Sequence, residues 1–180
     1  EMKLCRHFGT CGGCVLQDLP PDEYRTFKRN EIVDALARQG FHDAVVEDVI
    51  SVAPRTRRRA IFKLAKRNGA VAIGFHAAKS HTIVDMHECL VLTSSLFAAV
   101  AGIREMMAAI LKDDENAELH VTETDSGLDV AIRWSRPNTS KLISQIAAWA
   151  AKLKFARVTA HGEILAELDT PHIHFANARV

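Results

Sequence analysis

Three cysteines within ten residues, in the stretch CRHFGTCGGC at positions 5–14, constrain this chain more than any other feature in it. Cys5, Cys11 and Cys14 are spaced C-x5-C-x2-C, and one further cysteine, Cys89, stands alone. A C-x2-C step lets two thiolates grip one centre from a tight turn, and Gly12 and Gly13 relieve the crowding there. Two disulfides would suit a small secreted protein, not a 180-residue chain with no apolar leader. Two centres remain: a zinc ion held by four cysteines, or an iron–sulfur cluster. Structural zinc sites usually come as two short C-x2-C hooks, whereas a three-cysteine hook with one remote thiolate is more typical of a cubane. The context of Cys89, in IVDMHECLVL, suits a fourth ligand: a strand end, a turn with Asp85 and Glu88, then the cysteine before a new apolar stretch.

The length allows one domain or one and a half, and a hydrophobic content of 48% is enough for a real core. No apolar run approaches the roughly 18 residues of a membrane span, so the expectation is a cytoplasmic protein without membrane contact. The first residue is Glu1 rather than Met, as in a processed chain or an excised segment.

Pro20 and Pro21 open a helix over 20–40, with Asp22 and Glu23 at the positive end of its dipole and Gly40 as its stop. Tyr24, Phe27, Ile32 and Leu36 form its apolar stripe. Residues 44–50 read as a strand, 57–66 and 70–76 as a hairpin about an Asn68-Gly69 turn of the I′ kind, and His81 to Asp85 as another strand. A second helix follows Thr93 or Ser94, with Leu96, Val100, Ile103, Met107 and Leu111 at helical spacing. Residues 117–124 and 127–134 form a second hairpin, Asn138 or Thr139 caps a third helix, and 156–180 carries short strands bent at Gly162 and Pro171. The predicted architecture is α+β: a cysteine hook over 1–20, then a domain over 21–180 with a mostly antiparallel sheet and helices packed on one face.

Charge is informative locally. The formal total is +1, yet from Val49 to Val84 there are eight Lys/Arg and no Asp or Glu: Arg55, Arg57, Arg58, Arg59, Lys63, Lys66, Arg67 and Lys79. His76 and His81 add donors. On the predicted strand Arg57, Arg59 and Lys63 share one face, opposite Ala60, Phe62 and Leu64. A one-sign stripe of this kind suits a phosphate backbone. Trp134 and Trp149 read as core, His172 and His174 as an exposed strand face, His161 as a solvated turn, and Asp113, Asp114 and Glu115 as an acidic helix end.

The segment CRHFGTCGGCVLQDL, followed by a helix and later by GFHAAKSHTIVDMHECLVL, resembles the RNA (uracil-5-)-methyltransferase family, and within it the iron–sulfur branch that acts on 23S ribosomal RNA. The matching pattern is C-x5-C-G-G-C-x2-Q, then G-F-x4-S-H-x-I-V-D-x3-C, and it is strong up to about Leu92. Where the family often carries Tyr-Arg-Asn, this chain has Arg57-Arg58-Arg59, of which Arg58 matches. The resemblance implies a 4Fe–4S cluster on Cys5, Cys11, Cys14 and Cys89, and RNA contacts around Arg55, Arg57, Arg58, Arg59, Lys63, His76, Lys79 and His81.

It also implies a reaction. A cysteine thiolate adds to uracil C6, C5 takes the methyl group of S-adenosylmethionine (SAM), and a carboxylate removes the C5 proton. With all four cysteines assigned to the cluster, none is left as that nucleophile, and no glycine-rich strand–helix turn is present to cradle SAM. The expectation is therefore a monomeric central RNA-recognition domain, inactive alone, with its SAM-binding catalytic domain beyond residue 180. Two other readings stay open: a zinc-stabilised RNA-binding module with no attached enzyme, and a stand-alone iron–sulfur electron carrier.

Overall fold

The computed structural model describes residues 4–175, 178 and 179. Helix α1 spans Pro21–Arg38. A hairpin follows, β1 (Arg59–Arg67) and β2 (Ala70–His76), then the short β3 (Ile83–Asp85) and helix α2 (Ser94–Ile110). A second hairpin, β4 (Asn116–Thr124) and β5 (Gly127–Arg133), leads to α3 (Ser140–Leu153), β6 (Arg157–Ala160) and β7 (Glu163–Glu167). A two-residue pair, β8 (His174–Phe175) and β9 (Ala178–Arg179), stands apart.

Strands β1 to β7 form one sheet in the order β3-β2-β1-β4-β5-β6-β7. The sheet is mixed. The hairpin partners, β1 with β4, β2 with β3 and β6 with β7 pair antiparallel, whereas β5 and β6 run parallel. That parallel pair follows from α3, whose crossover returns the chain to the same end of the sheet. The turn between β1 and β2 holds Asn68 and Gly69 at φ 51° and 79°, the two positive values a I′ turn requires.

The core lies between one face of the sheet and α2 and α3. Strand β1 alternates as expected: Ala60, Phe62 and Leu64 are buried while Arg59 and Ile61 are exposed. Leu96, Val100, Ile103, Met106, Met107 and Ile110 of α2 and Leu142, Ile146 and Ala150 of α3 close the layer. Thr93 and Thr139 cap these helices, each hydroxyl accepting the N–H three residues on. Trp134 and Trp149 pack against this core.

Two expectations fail here. Residues 44–50 form no strand: Val45 and Ile50 are 93% and 92% exposed. Strand propensity registers fit to a half-buried pleated surface, and no strand pairs with this segment to supply one. Helix α1 does not join α2 and α3 on the sheet, and none of its residues is buried. Its C-terminus is nevertheless well made. Gly40, at φ 87°, donates to Ala37 O, and Phe41 donates to Leu36 O, the two bonds of a Schellman cap. No helix among the described residues is long and apolar enough to cross a membrane.

Candidate metal centre and the basic surface beside it

The cysteine hook is stitched to two places far away in sequence. Gly12 donates to His76 O (2.9 Å) and Ala78 donates to Thr10 O (3.2 Å), with Cys11 bridging to Ala77, so the hook extends the end of β2. On its other side Arg6 N–H donates to Glu88 Oε2 (2.9 Å), and His87 N–H donates to His7 Nε2 (3.1 Å). Gln17, whose side-chain oxygen accepts from Cys5 N–H (2.9 Å), closes the hook on itself. The spacing of Gln17 after the third cysteine signals a role, but only the fold shows which.

The result is a single pocket lined by all four cysteines. Phe8, Phe75, Met86, Leu90 and Val91 supply its apolar wall, and Arg57 borders it. All four thiols are free. Burial, and then the neighbouring Cys89, pushes the Cys14 thiol above its ordinary pKa; Arg57 opposes this, while Cys11 and Cys5 add to it. Thiolates facing one another in an apolar pocket would repel, so the arrangement calls for positive charge between them. Among the described residues, however, no three His, Cys, Asp or Glu side chains gather tightly enough to hold a single metal ion.

Cys89 reaches the pocket because β3 is anchored. Asp85 Oδ1 accepts from Ile73 N–H (2.9 Å) and from Arg104 of α2 (2.7 Å). Met86 N–H donates to Ile73 O, and the Met86 side chain is buried. Burial raises the Asp85 pKa, but the Ile73 N–H and the Arg104 guanidinium outweigh it, so the carboxyl sits below its ordinary value. A carboxylate with a lowered folded pKa contributes stability that is complete above its unfolded value, about 3.9, and is lost as pH falls through the folded value. Asp85→Asn is therefore expected to lower the melting temperature near neutral pH, with the gap from the parent closing as pH drops below about 4. Melts from pH 3 to pH 7 check this, and a pH-independent gap would contradict it.

The eight basic residues expected to contact RNA have different immediate neighbours. Lys63, His76 and Lys79 line one shallow groove together with Gly12, Gly13, Val15 and Ile61, against the side of the hook. His81 stacks edge-on to His76, with ring centres 5.4 Å apart. Burial, then Lys63 and His81, lowers the His76 pKa, so the ring favours its neutral form. Arg59 is exposed on the sheet face away from the helices. The backbone N–H groups of Arg55 and Arg57 donate to Leu90 O (3.0 Å) and Val91 O (2.9 Å), just after Cys89, and Arg57 borders the cysteine pocket, which shares Gly13 and Phe75 with the groove.

Other basic residues are partly neutralised. Arg58 pairs with Asp125 of the β4–β5 turn (2.9 Å), and the same carboxylate accepts from His174 N–H and bonds its ring. Lys63 pairs with Glu118 on the neighbouring strand. Lys66 donates to Ala108 O and Leu111 O (2.6 and 2.9 Å), capping the carbonyl end of α2. The acids that pair with Lys63 and Arg58 sit on or just after β4, a strand 50 residues or more away, so the acid-free sequence window conceals them.

No family model matches the chain. It is 36% identical over 176 residues to an uncharacterized RNA methyltransferase of Brucella suis, covering 98% of this chain and 42% of the relative. It is 35% identical over 182 residues to one of Rhizobium meliloti, covering 98% and 44%. Over 138 residues it is 31% identical to the 23S rRNA (uracil(1939)-C(5))-methyltransferase RlmD of Halomonas elongata, covering 76% and 29%. The chain resembles one segment of RNA methyltransferases. It spans less than half the length of these relatives. Its fold is similar to that of part of the Pyrococcus abyssi tRNA (uracil-54, C5)-methyltransferase solved with S-adenosyl-L-homocysteine, with a TM-score of 0.55 and 18% identity over 97% of this chain and 45% of that one.

Proposed function

We propose that this chain is the RNA-recognition segment of a SAM-dependent RNA (uracil-5-)-methyltransferase, that Cys5, Cys11, Cys14 and Cys89 hold a 4Fe–4S cluster, and that the substrate is a uridine of 23S ribosomal RNA. One observation carries the reading: the pocket ringed by four cysteines is bordered by Arg57, which belongs to the acid-free basic stretch. On this reading the cluster and the phosphate-binding segment share one place.

The donor set favours a cluster over a lone zinc. Structural zinc sites usually come as two short C-x2-C hooks, which this chain lacks. A three-cysteine hook with one remote thiolate is the pattern more typical of a cubane, and all four cysteines line the one pocket. When bound, the cluster supplies a cross-link between the hook and the Cys89 loop, and through it fixes the 55–57 segment hydrogen-bonded to Leu90 and Val91. The name of the Halomonas elongata relative supports 23S rRNA and uracil C5 as the target. With its four cysteines around the pocket, this chain offers no thiolate for attack on the base. Methyl transfer falls to the part of the parent protein that corresponds to the unmatched length of the relatives.

Lys79 and Arg59 are the contacts we assign to phosphate, with Arg55 and Arg57 beside the pocket; Lys63, paired with Glu118, and the neutral His76 ring border the Lys79 groove as hydrogen-bonding groups. Each phosphate neutralised on a single strand contributes about −0.7 to the slope of log K against log salt. Lys79→Ala and Arg59→Ala, both at exposed positions, are expected to weaken binding to a 23S rRNA fragment by roughly three- to tenfold and to flatten that slope by about 0.7 to 1 each. Fluorescence titrations at four salt concentrations test this. Unchanged slopes in both variants would remove RNA from the proposal. Nucleoside analysis of rRNA from cells lacking the gene tests the parent activity, and an undiminished 5-methyluridine content would sink it.

A further inference from the structure

Helix α1 is the one long element with no fully buried residue, although Tyr24, Val33 and Leu36 are half-buried. It has 18 residues, none buried, and no other helix or strand packs along it among the described residues. In proteins most helical stability comes from packing an apolar face rather than from propensity. The surface pairs Asp22–Arg25 and Lys28–Glu31 add little to it. Phe27 and Ile32 are 43% and 54% exposed, and five positions apart they lie on different sides of the helix. The chain then runs on without regular structure, hydrogen-bonded back to α1 through Arg29 Nη2 and Val46 O (2.8 Å). This arm exposes Phe41, Val45, Ile50 and Val52. Four large apolar side chains within twelve residues of one irregular segment, each more than 60% exposed, are more than the scattered single ones that are ordinary on a surface.

We propose that α1 and residues 41–53 form a docking arm for the part of the parent protein that lies outside these 180 residues. This rests on the reading of the chain as one segment of a longer enzyme. Two observations select the occupant. Residues 21–53 hold seven acids against four bases, a sign that repels RNA and leaves the basic stretch after residue 54 to bind it. The relatives carry more than half of their length outside the matched region, which is ample polypeptide to wrap a helix on two sides. The arm begins at the cysteine hook and ends at the basic segment, so a part docked on it is tied to both.

Hydrogen exchange on the full-length gene product tests the arm. Amides of residues 25–38 are expected to exchange within about tenfold of those of α2. In the double variant Val45→Asp/Ile50→Asp, whose positions lie outside the α1 cap, α1 should lose about tenfold or more of its protection while α2 and α3 keep theirs, and those helices serve as the folding control. Free exchange of α1 in the parent protein beside a protected α2 overturns the proposal. So does protection that arises only on adding 23S rRNA, or that rises with protein concentration, which would name RNA or a second copy as the occupant. A native product whose mass ends at residue 180 would instead overturn the reading as part of a longer enzyme, and mass spectrometry separates that failure from the others.

Discussion

Anaerobically isolated protein is expected to carry about four iron and four acid-labile sulfides per chain, and Cys89→Ser to lose most of both. Cys89 is the buried member of the set and the only one outside the hook. The hook also has anchors of its own: Gly12 on His76 O, Ala78 on Thr10 O, and His7 with Arg6 at the Cys89 loop. These hydrogen bonds place the thiols before any metal arrives, so the serine variant should fold with its hook near its normal place and lack one cluster corner. Metal-linked closure of such a loop contributes folding free energy directly. The variant should therefore melt several degrees lower and bind RNA at least about tenfold more weakly, that being the loss expected if segment 55–57 is no longer fixed by the cross-link. Elemental analysis, the visible spectrum and the RNA titration read these effects separately. One zinc per chain with no sulfide would replace the cluster by a zinc-stabilised module. Full iron content in Cys89→Ser would remove Cys89 from the ligand set.

Gly74→Ala should be the most damaging single-methyl change in the chain. Gly74 lies on β2 opposite Asp85 of β3. A Cβ there would overlap the Val84 carbonyl oxygen and stand 3.2 Å from both the Met86 Cβ and backbone nitrogen. The obstacles are mostly backbone, so no side chain can rotate away; β3 has to move. Moving it breaks the Asp85 bonds to Ile73 and Arg104 and displaces the loop that delivers Cys89. Overpacking of this kind costs about 2–4 kcal/mol, and the loss should appear in iron content as well as in melting temperature. Gly40→Ala is the contrast. It meets nothing within 4 Å but sits at φ 87°, so it should cost about 1 kcal/mol of backbone strain and leave iron content unchanged. Equal iron loss in both variants would show that general instability, not the β3 position, controls the centre.

Much of the candidate site was legible beforehand because its chemistry is local. The three-cysteine hook, the glycines beside it and the isolated Cys89 are visible as spacing, and the pocket contains all four. The walls were not legible. Phe75 from β2, Met86 and Val91 from the β3–α2 loop, and Arg57 from before β1 meet the hook only through strand pairing. The basic surface was half legible. A window with no acids cannot reveal Glu118 and Asp125, which neutralise Lys63 and Arg58 from a neighbouring strand and its turn.

The sequence by itself determined the two hairpins, the capped helices α2 and α3 and the inward face of β1, because periodicity of two or 3.6 and turn residues such as Asn68-Gly69 act over a few residues. Only the tertiary structure decided that β1 lies beside β4, that β5 and β6 run parallel, that Lys66 caps a helix, and that the apolar runs of α1 and residues 44–50 stay outside the core. Those outcomes depend on which distant surfaces bury the most apolar area together and satisfy the most backbone groups, a comparison made over the whole chain and written in no single stretch of it.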